Sequence, residues 1–178
     1  PFTSSRIAQN FSFPVVDIAE SVDGFLWIST GEPGLFRFSL SEGFGSNMIH
    51  SVYDSTHGLP ADHACIDLIN VNDQLIVSTG NEFYHFDPEG NKLIPFSAIQ
   101  IPSRTSQKIT INPISGDQNN IWFKVFDHVS DSEELWKAGY SGADSFEFIP
   151  IYIKSSIDFP VYSIYNEPDG IVWMGSQH

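Results

Sequence analysis

The sequence is short of basic residues: 178 residues hold eight Lys and Arg against 22 Asp and Glu, which gives a net charge of −14 at pH 7. Proteins bind nucleic acid largely through Lys and Arg side chains that displace counterions from the phosphates. A chain this acidic is repelled by phosphate backbones and by anionic lipid surfaces. The composition therefore excludes nucleic acid as an expected partner and disfavours direct contact with a membrane.

Cysteine is also nearly absent, since Cys65 is the single one in the chain. One chain can therefore build no disulfide, zinc knuckle or iron–sulfur site from cysteines, and cysteine use leaves the compartment open. No apolar run reaches the roughly 18–20 residues of a membrane span. The start at Pro1 has neither an initiator Met nor the apolar core of a signal peptide, so we expect the numbering to begin inside a longer protein.

What the sequence does have is aromatic residues and turn formers: 15 Phe, six Tyr and four Trp, together with 13 Gly and 11 Pro. Aromatic side chains suit the pleated, half-buried surface of a β-sheet. Glycine and proline separate short strands by turns. The composition thus favours β-structure over helix-rich folds.

Internal repetition is the strongest pattern in the chain. One strand-like block occupies 23–30, 72–79, 118–124 and 168–176, and its central position is Trp27, Ile76, Trp122 and Trp173. The spacings between these four positions are 49, 46 and 51 residues. A second block, with the order apolar, aromatic, basic, apolar, follows the first three and has Arg37, His85 and Lys137 at its basic position. Because the basic residue recurs at one strand position, we interpret it as scaffold and not as a binding stripe.

Each repeat contains four strand candidates, A to D, in about 49 residues, which is typical of a β-propeller blade. A two-sheet sandwich is the alternative fold. We predict an all-β chain: a β-propeller fragment of about three and a half four-stranded blades of an incomplete ring. The repeats fall at about 14–62, 63–106, 107–159 and, incompletely, 160–178, with 6–13 as a stray outer strand of a preceding blade. Because an open blade leaves a strand edge uncovered, we expect the remaining blades or a second copy of the chain as a partner.

The segments VDGFLWISTGEPGLFRF, YDSTHGLPADHACIDLI and YNEPDGIVWMG carry a resemblance to a known family. They resemble the two-component regulator propeller repeats, which form the periplasmic sensor region of hybrid two-component system histidine kinases in Bacteroidetes. The second repeat departs from the pattern with Ile76 in place of Trp, and the third has lost the Asp-Gly turn. The resemblance implies a periplasmic sensor segment that recognises a carbohydrate-derived signal and controls a histidine kinase across the membrane.

Propeller geometry indicates where a ligand binds. The D-to-A and B-to-C connections emerge on one face, where loops of several blades converge. We predict ligand-binding residues there: Asp62, His63, Arg104, Gln107, Asp127, His128, Asp158 and Phe159. Arg104 is the expected anchor for an anionic ligand because guanidinium binds carboxylate or sulfate bidentately. The third repeat has about five extra residues between its two blocks, and we expect an extended recognition loop at 127–133.

No catalytic constellation is recognisable in the sequence. It contains no G-x-S-x-G elbow and no phosphate-binding glycine loop. Its six histidines show no spacing typical of a metal site, so no cofactor or metal is expected. We therefore predict a non-catalytic segment whose partner is an oligosaccharide or a related small ligand. A propeller-type interaction scaffold and a carbohydrate-active propeller enzyme remain the alternatives.

Overall fold

The computed structural model describes residues 14–40, 50–61, 66–80, 82–100, 109–117, 119–142, 145–151, 161–167 and 171–176. The predicted outer strand at 6–13 and Cys65 lie outside these residues. The strands are β1 (Val15–Glu20), β2 (Phe25–Thr30), β3 (Leu35–Ser39), β4 (His50–Tyr53), β5 (Asp67–Val71), β6 (Gln74–Ser78), β7 (Phe83–Asp87), β8 (Lys92–Pro95), β9 (Ile109–Gly116), β10 (Asn120–Asp127), β11 (Ser132–Gly142), β12 (Ser145–Ile151), β13 (Val161–Asn166) and β14 (Val172–Ser176).

The strands form sheets in chain order. Sheet 1 contains β1 to β4, sheet 2 β5 to β8 and sheet 3 β9 to β12, each with consecutive strands as neighbours, and sheet 4 contains β13 and β14. The pairing is antiparallel in every register that the structure defines. Three four-stranded meanders followed by a two-stranded sheet confirm the predicted fold class, an all-β propeller fragment.

The turns between the first two strands of sheets 1 and 2 use left-handed backbone. Gly24 has a φ of 78°, and Asn72 and Asp73 have φ values of 49° and 59°. Glycine reaches this region without strain, and Asn and Asp tolerate it better than other residues. These residues therefore permit the tight reversal that the sequence predicts between strands A and B.

The described residues fall into two compact units. The first lies within Pro1–Leu68 and Asp73–Phe96, and the second within Ile69–Asn72 and Ser97–His178. The first unit has an apolar core built around Trp27, Tyr53, Leu59 and Val77. The Trp27 ring contacts the rings of Tyr53 and Phe86, at centroid distances of 5.1 and 5.2 Å.

The segment that follows β4 packs sheet 1 against sheet 2 within the first unit. The Tyr53 hydroxyl donates to Oδ1 of Asn91 at 2.8 Å, in the turn between β7 and β8. Asp54 caps a 3-10 turn at Ser55–His57 by accepting the amide of Thr56 at 2.9 Å. Hydrogen bonds from the Thr56 hydroxyl and from His57 lower the pKa of Asp54 to about 2. Gly58 then ends the turn with a φ of 94° and directs Leu59 into the core.

The second unit has its own apolar cluster. Trp122 on β10 packs with Val161 and Ile164 on β13, and Ile114, Leu135, Ile151 and Met174 lie against them. The backbone of β9 also approaches that of β5 closely, because a Cβ added at Gly116 would lie 2.4 Å from the carbonyl oxygen of Asn70. The cluster joins sheet 3 to sheet 4 and fixes the end of β10 next to β13.

Candidate functional site

The structure describes two of the eight predicted ligand-binding residues, Asp127 and His128. The other six lie outside the described residues: Asp62, His63, Arg104, Gln107, Asp158 and Phe159. Arg104 as an anion anchor and the other five as ligand-binding residues therefore stay predictions. The geometry below concerns the second unit alone.

The five extra residues of the third repeat do not form the expected extended loop. β10 runs to Asp127 and β11 begins at Ser132, so four residues connect them, as four residues connect β2 to β3 in sheet 1. The insertion instead lengthens the paired strands: beyond Lys124↔Leu135, sheet 3 adds Val125↔Glu134, Phe126↔Glu133 and Asp127↔Ser132. The expectation of a recognition loop at 127–133 was wrong. The added residues extend the antiparallel pairing of β10 with β11 as far as Asp127↔Ser132, so only the four residues 128–131 lie outside the strands.

Asp127 and His128 hold the end of this hairpin together. Oδ1 of Asp127 accepts the amides of Val129 and Ser130 at 2.8 and 3.4 Å, which fixes the turn. Nε2 of His128 lies 2.8 Å from the Thr110 hydroxyl on β9, and its ring lies edge-on to Phe126 at 4.8 Å. Both residues therefore shape the hairpin, and His128 also places a polar ring at its rim.

Lys124 brings a positive charge to the same end of sheet 3. Its Nζ lies 3.4 Å from Oε2 of Glu133 and 5.3 Å from the ring centroid of Tyr162 on β13. The Lys124 side chain is 20% exposed, whereas Tyr162 is 58% exposed. A cation beside an exposed aromatic ring can interact with the ring face and with an anionic group.

We name this group the Lys124 rim: Thr110, Asn112, Lys124, His128, Glu133 and Tyr162. Asn112 is exposed and lies in register opposite Lys124, so the two side chains share a face of the sheet. Trp122, two residues before Lys124, lies on that face as well and is buried in the apolar cluster. The rim thus rests on packed side chains, and it combines a cation, an amide, a hydroxyl and an aromatic ring.

Sequence reasoning missed Lys124, Asn112 and Tyr162. The signal was a departure from the repeat: two residues after the central position, sheets 1 and 2 have Ser29 and Ser78, and sheet 3 has Lys124. Scaffold positions repeat between blades, so a position whose side chain differs in one blade is a candidate functional site. The repeated basic residues behave as scaffold, since Arg37, His85 and Lys137 lie opposite the central residue of β2, β6 and β10.

In the first unit, the strand position that corresponds to Lys124 is Ser29, and it is buried. Asp17 lies opposite Ser29 in register, and its Oδ2 accepts the amide of Leu68 at 2.7 Å. Ser29 and Thr30 are buried beside it. Burial, and secondly the negative charge of Asp17, raise the pKa of Asp67 to about 6. This arrangement ties β1 to β5 and leaves no cation at the position that Lys124 occupies in the second unit.

Asp67 predicts a measurable pH dependence. Its pKa is raised from 3.8 to about 6, so the folded state binds the proton more tightly, and stability falls as the pH rises from about 4 to about 6. Asp67→Asn removes the charge and should raise the free energy of unfolding by about 1 kcal/mol at neutral pH, after allowance for solvent screening of this half-buried group. At about pH 4 the effect should be much smaller.

Urea denaturation at the two pH values measures this difference. Asp131→Asn is the matched control, because Asp131 is exposed and has a φ of 52° that asparagine also tolerates. An equal gain for Asp67→Asn at both pH values would show that the carboxyl charge is not the cause.

Among the residues that the structure describes, no group of three or more His, Cys, Asp or Glu could hold a metal ion. The described residues also contain no helix whose length and apolar character would let it cross a bilayer.

Comparison with known proteins gives a likeness of fold. No family model matches the chain, and no curated protein matches it. Two solved structures of the extracellular domain of BT4673 from B. thetaiotaomicron do, one described as a hybrid two component system and one as a one component system. The first is 16% identical with a TM-score of 0.53 over 92% of this chain and 26% of that one. The second is 15% identical with a TM-score of 0.56 over 94% of this chain and 27% of that one. This chain therefore spans about a quarter of the length of the structures that it resembles.

Proposed function

We propose that this chain is a ligand-binding segment of an extracytoplasmic sensor, and that the Lys124 rim recognises a carbohydrate-derived signal. The observation that carries the proposal is the Lys124 side chain, only 20% exposed, whose Nζ lies 5.3 Å from the centroid of the exposed Tyr162 ring. An aromatic ring offers a flat apolar surface to a sugar, and the amide and hydroxyl groups of the rim offer hydrogen bonds to its hydroxyl groups. The proposed location is the periplasm, outside the inner membrane.

The likeness to the extracellular domain of a protein described as a hybrid two component system supports the sensor role. In this proposal the segment is not catalytic, and the signal passes to a histidine kinase on the other side of the membrane. The remaining propeller blades or a second copy of the chain complete its surroundings.

The chemistry of the rim favours an acidic sugar. Lys124 is held between Glu133 and Tyr162, so a carboxylate or sulfate of the ligand would replace Glu133 as its ionic partner. A charge-assisted hydrogen bond in a partly desolvated site is stronger than a neutral one. The acidic form of an oligosaccharide should therefore bind more tightly than its neutral counterpart.

Calorimetry with a panel of oligosaccharides, each acidic member paired with its carboxyl-reduced or desulfated neutral form, tests the proposal. Lys124→Gln should weaken binding of the acidic member about tenfold to a hundredfold and leave the neutral member nearly unchanged. Lys92→Gln is the control, because Lys92 is an exposed lysine on β8 and its loss changes the net charge equally.

Equal losses for Lys124→Gln and Lys92→Gln would exclude the rim as the site. Absence of binding across the panel would support an interaction scaffold instead. Recovery of shortened oligosaccharides after incubation would identify an enzyme and overturn the non-catalytic reading.

A further inference from the structure

Lys124 already has a counter-ion within the chain. Its Nζ lies 3.4 Å from Oε2 of Glu133, and the two side chains are 20% and 38% exposed. The ammonium is therefore the more shielded member of the pair, and the carboxylate is more open to solvent. Any anion that binds Lys124 has to compete with Glu133 for the same ammonium.

Glu133 is the acidic member of the Lys124 rim. The other members offer an amide, a hydroxyl, an imidazole and a phenol ring, none of which is negatively charged near neutral pH. Asn112 lies opposite Lys124 on β9, and Glu133 approaches Lys124 from β11. Lys124 thus has a neutral residue on one neighbouring strand and a carboxylate on the other.

The lysine and its carboxylate depart from the repeat in the same sheet. In sheets 1 and 2 the pairing of the second strand with the third ends at Ser29 and Ser78, the positions that correspond to Lys124. Sheet 3 continues for three more residue pairs, and Glu133 lies opposite Phe126 in the second of them. Since scaffold positions repeat between the sheets, this coincidence indicates a pair that belongs to the site.

The backbone holds the pair without fixing the carboxylate itself. Glu133 and Leu135 lie on one face of β11, because they are two residues apart on a strand, and Lys124 lies opposite Leu135. The hydrogen bonds of the ladder are made by main-chain atoms. The Glu133 side chain can therefore turn away from Lys124 without moving either strand.

A tethered carboxylate competes with every free anion. The neighbouring strand keeps Glu133 close to Lys124, which gives the carboxylate a high effective concentration at the ammonium. A partly exposed ion pair of this kind should weaken a competing anion by about twofold to fivefold. The net charge of −14 adds a general repulsion of free anions. An anionic sugar gains further contacts with the amide and the ring of the rim.

We propose that Glu133 is a specificity-determining residue, an internal competitor that raises the affinity an anion needs in order to occupy the Lys124 rim. An acidic sugar displaces Glu133 because its ring and hydroxyl contacts add to the ionic one, whereas a simple anion has the ionic contact alone. On binding, the Glu133 carboxylate turns to solvent and Lys124 exchanges one anionic partner for another. The inference rests on the proposed function of the rim, but the competition itself can be measured without an oligosaccharide.

Inorganic sulfate is the probe for this competition. Isotope-labelled protein is titrated with sodium sulfate at constant ionic strength, and the amide NMR signals of residues 124–134 report binding at the rim. Glu133→Gln keeps the size of the side chain and removes its charge, so it should bind sulfate about twofold to fivefold more tightly. D-glucuronate should gain by a similar factor, and D-glucose should not change.

Two controls identify the cause of the gain. Glu89→Gln removes the same charge from an exposed position in the turn between β7 and β8, and it should leave sulfate binding unchanged. In a Lys124→Gln background, Glu133→Gln should give no gain, because the ammonium for which the two anions compete is absent. Circular dichroism verifies that each variant folds.

The inference is overturned if Glu133→Gln does not strengthen sulfate binding at the rim, if Glu89→Gln gives the same gain, or if the gain persists without Lys124. Weaker binding of D-glucuronate or D-glucose by Glu133→Gln would also overturn it, since Glu133 would then accept hydrogen bonds from the ligand. Failure of the proposed function has a different result: no oligosaccharide of the panel binds, while the gain for sulfate remains and leaves the competition in place.

Discussion

Replacing Gly58 with alanine is expected to lower the free energy of unfolding of the first unit by about 3 kcal/mol or more. Gly58 has a φ of 94°, which side chains rarely adopt, and an added Cβ would lie 2.1 Å from the carbonyl oxygen of Leu93. That oxygen is a backbone atom of β8, which pairs with β7 in sheet 2, so it cannot move aside as the end of a flexible side chain would. Urea denaturation, followed by circular dichroism, measures the loss.

Gly80→Ala is a matched control for this substitution. Gly80 has a φ of 93°, almost the same as Gly58, but nothing lies within 4 Å of its added Cβ. Gly80→Ala should therefore lower the free energy of unfolding only by the cost of the backbone strain, about 1 kcal/mol. If both variants lose the same stability, the close approach of β8 contributes nothing, and the segment after β4 does not clamp the two sheets.

Trp27→Ala should have the largest effect of any single truncation, a loss of about 3–5 kcal/mol. Trp27 is almost fully buried, contacts Tyr53 and Phe86 and lies beneath the Arg37 guanidinium. Its removal leaves a large cavity in the core of the first unit and takes away a ring partner of a cation.

Trp173→Ala removes the same side chain from the corresponding strand position. Because Trp173 is exposed, its loss should change stability by less than about 1 kcal/mol in the isolated chain. Thermal and urea denaturation of the two variants side by side test the comparison. A large loss for Trp173→Ala would mean that this residue is covered in solution, and a small loss for Trp27→Ala would contradict the core assigned to the first unit.

The strands and their order were predictable because each pattern had a local physical cause. Alternation placed Trp27 and Arg37 on paired strands, and Asp23-Gly24 and Asn72-Asp73 supplied the residues that tolerate a tight reversal. The same strand-turn-strand pattern recurs in each repeat, so each repeat supports the strand assignment of the others. Topology therefore followed from sequence alone.

The candidate site was less predictable, and two residues show why. An insertion states how many residues are added but not whether they pair, so Asp127 was expected in a loop and lies at the end of a strand. Lys124 was overlooked because its importance depends on Tyr162, which is distant in sequence and meets it only through the packing of sheet 4 on sheet 3. Side chains brought together by tertiary packing leave no local pattern.

The lengthened hairpin of sheet 3 has a consequence for how such a site diversifies. Three added residue pairs extend the ribbon by about 10 Å, and the hydrogen bonds that hold them are made by the backbone, whatever the side chains. Substitutions at Phe126, Glu133 and Glu134 can therefore change what the ribbon presents without altering the register below it. In the site that we propose, the side chains that face a ligand can therefore change separately from the strand pairing that holds the blade.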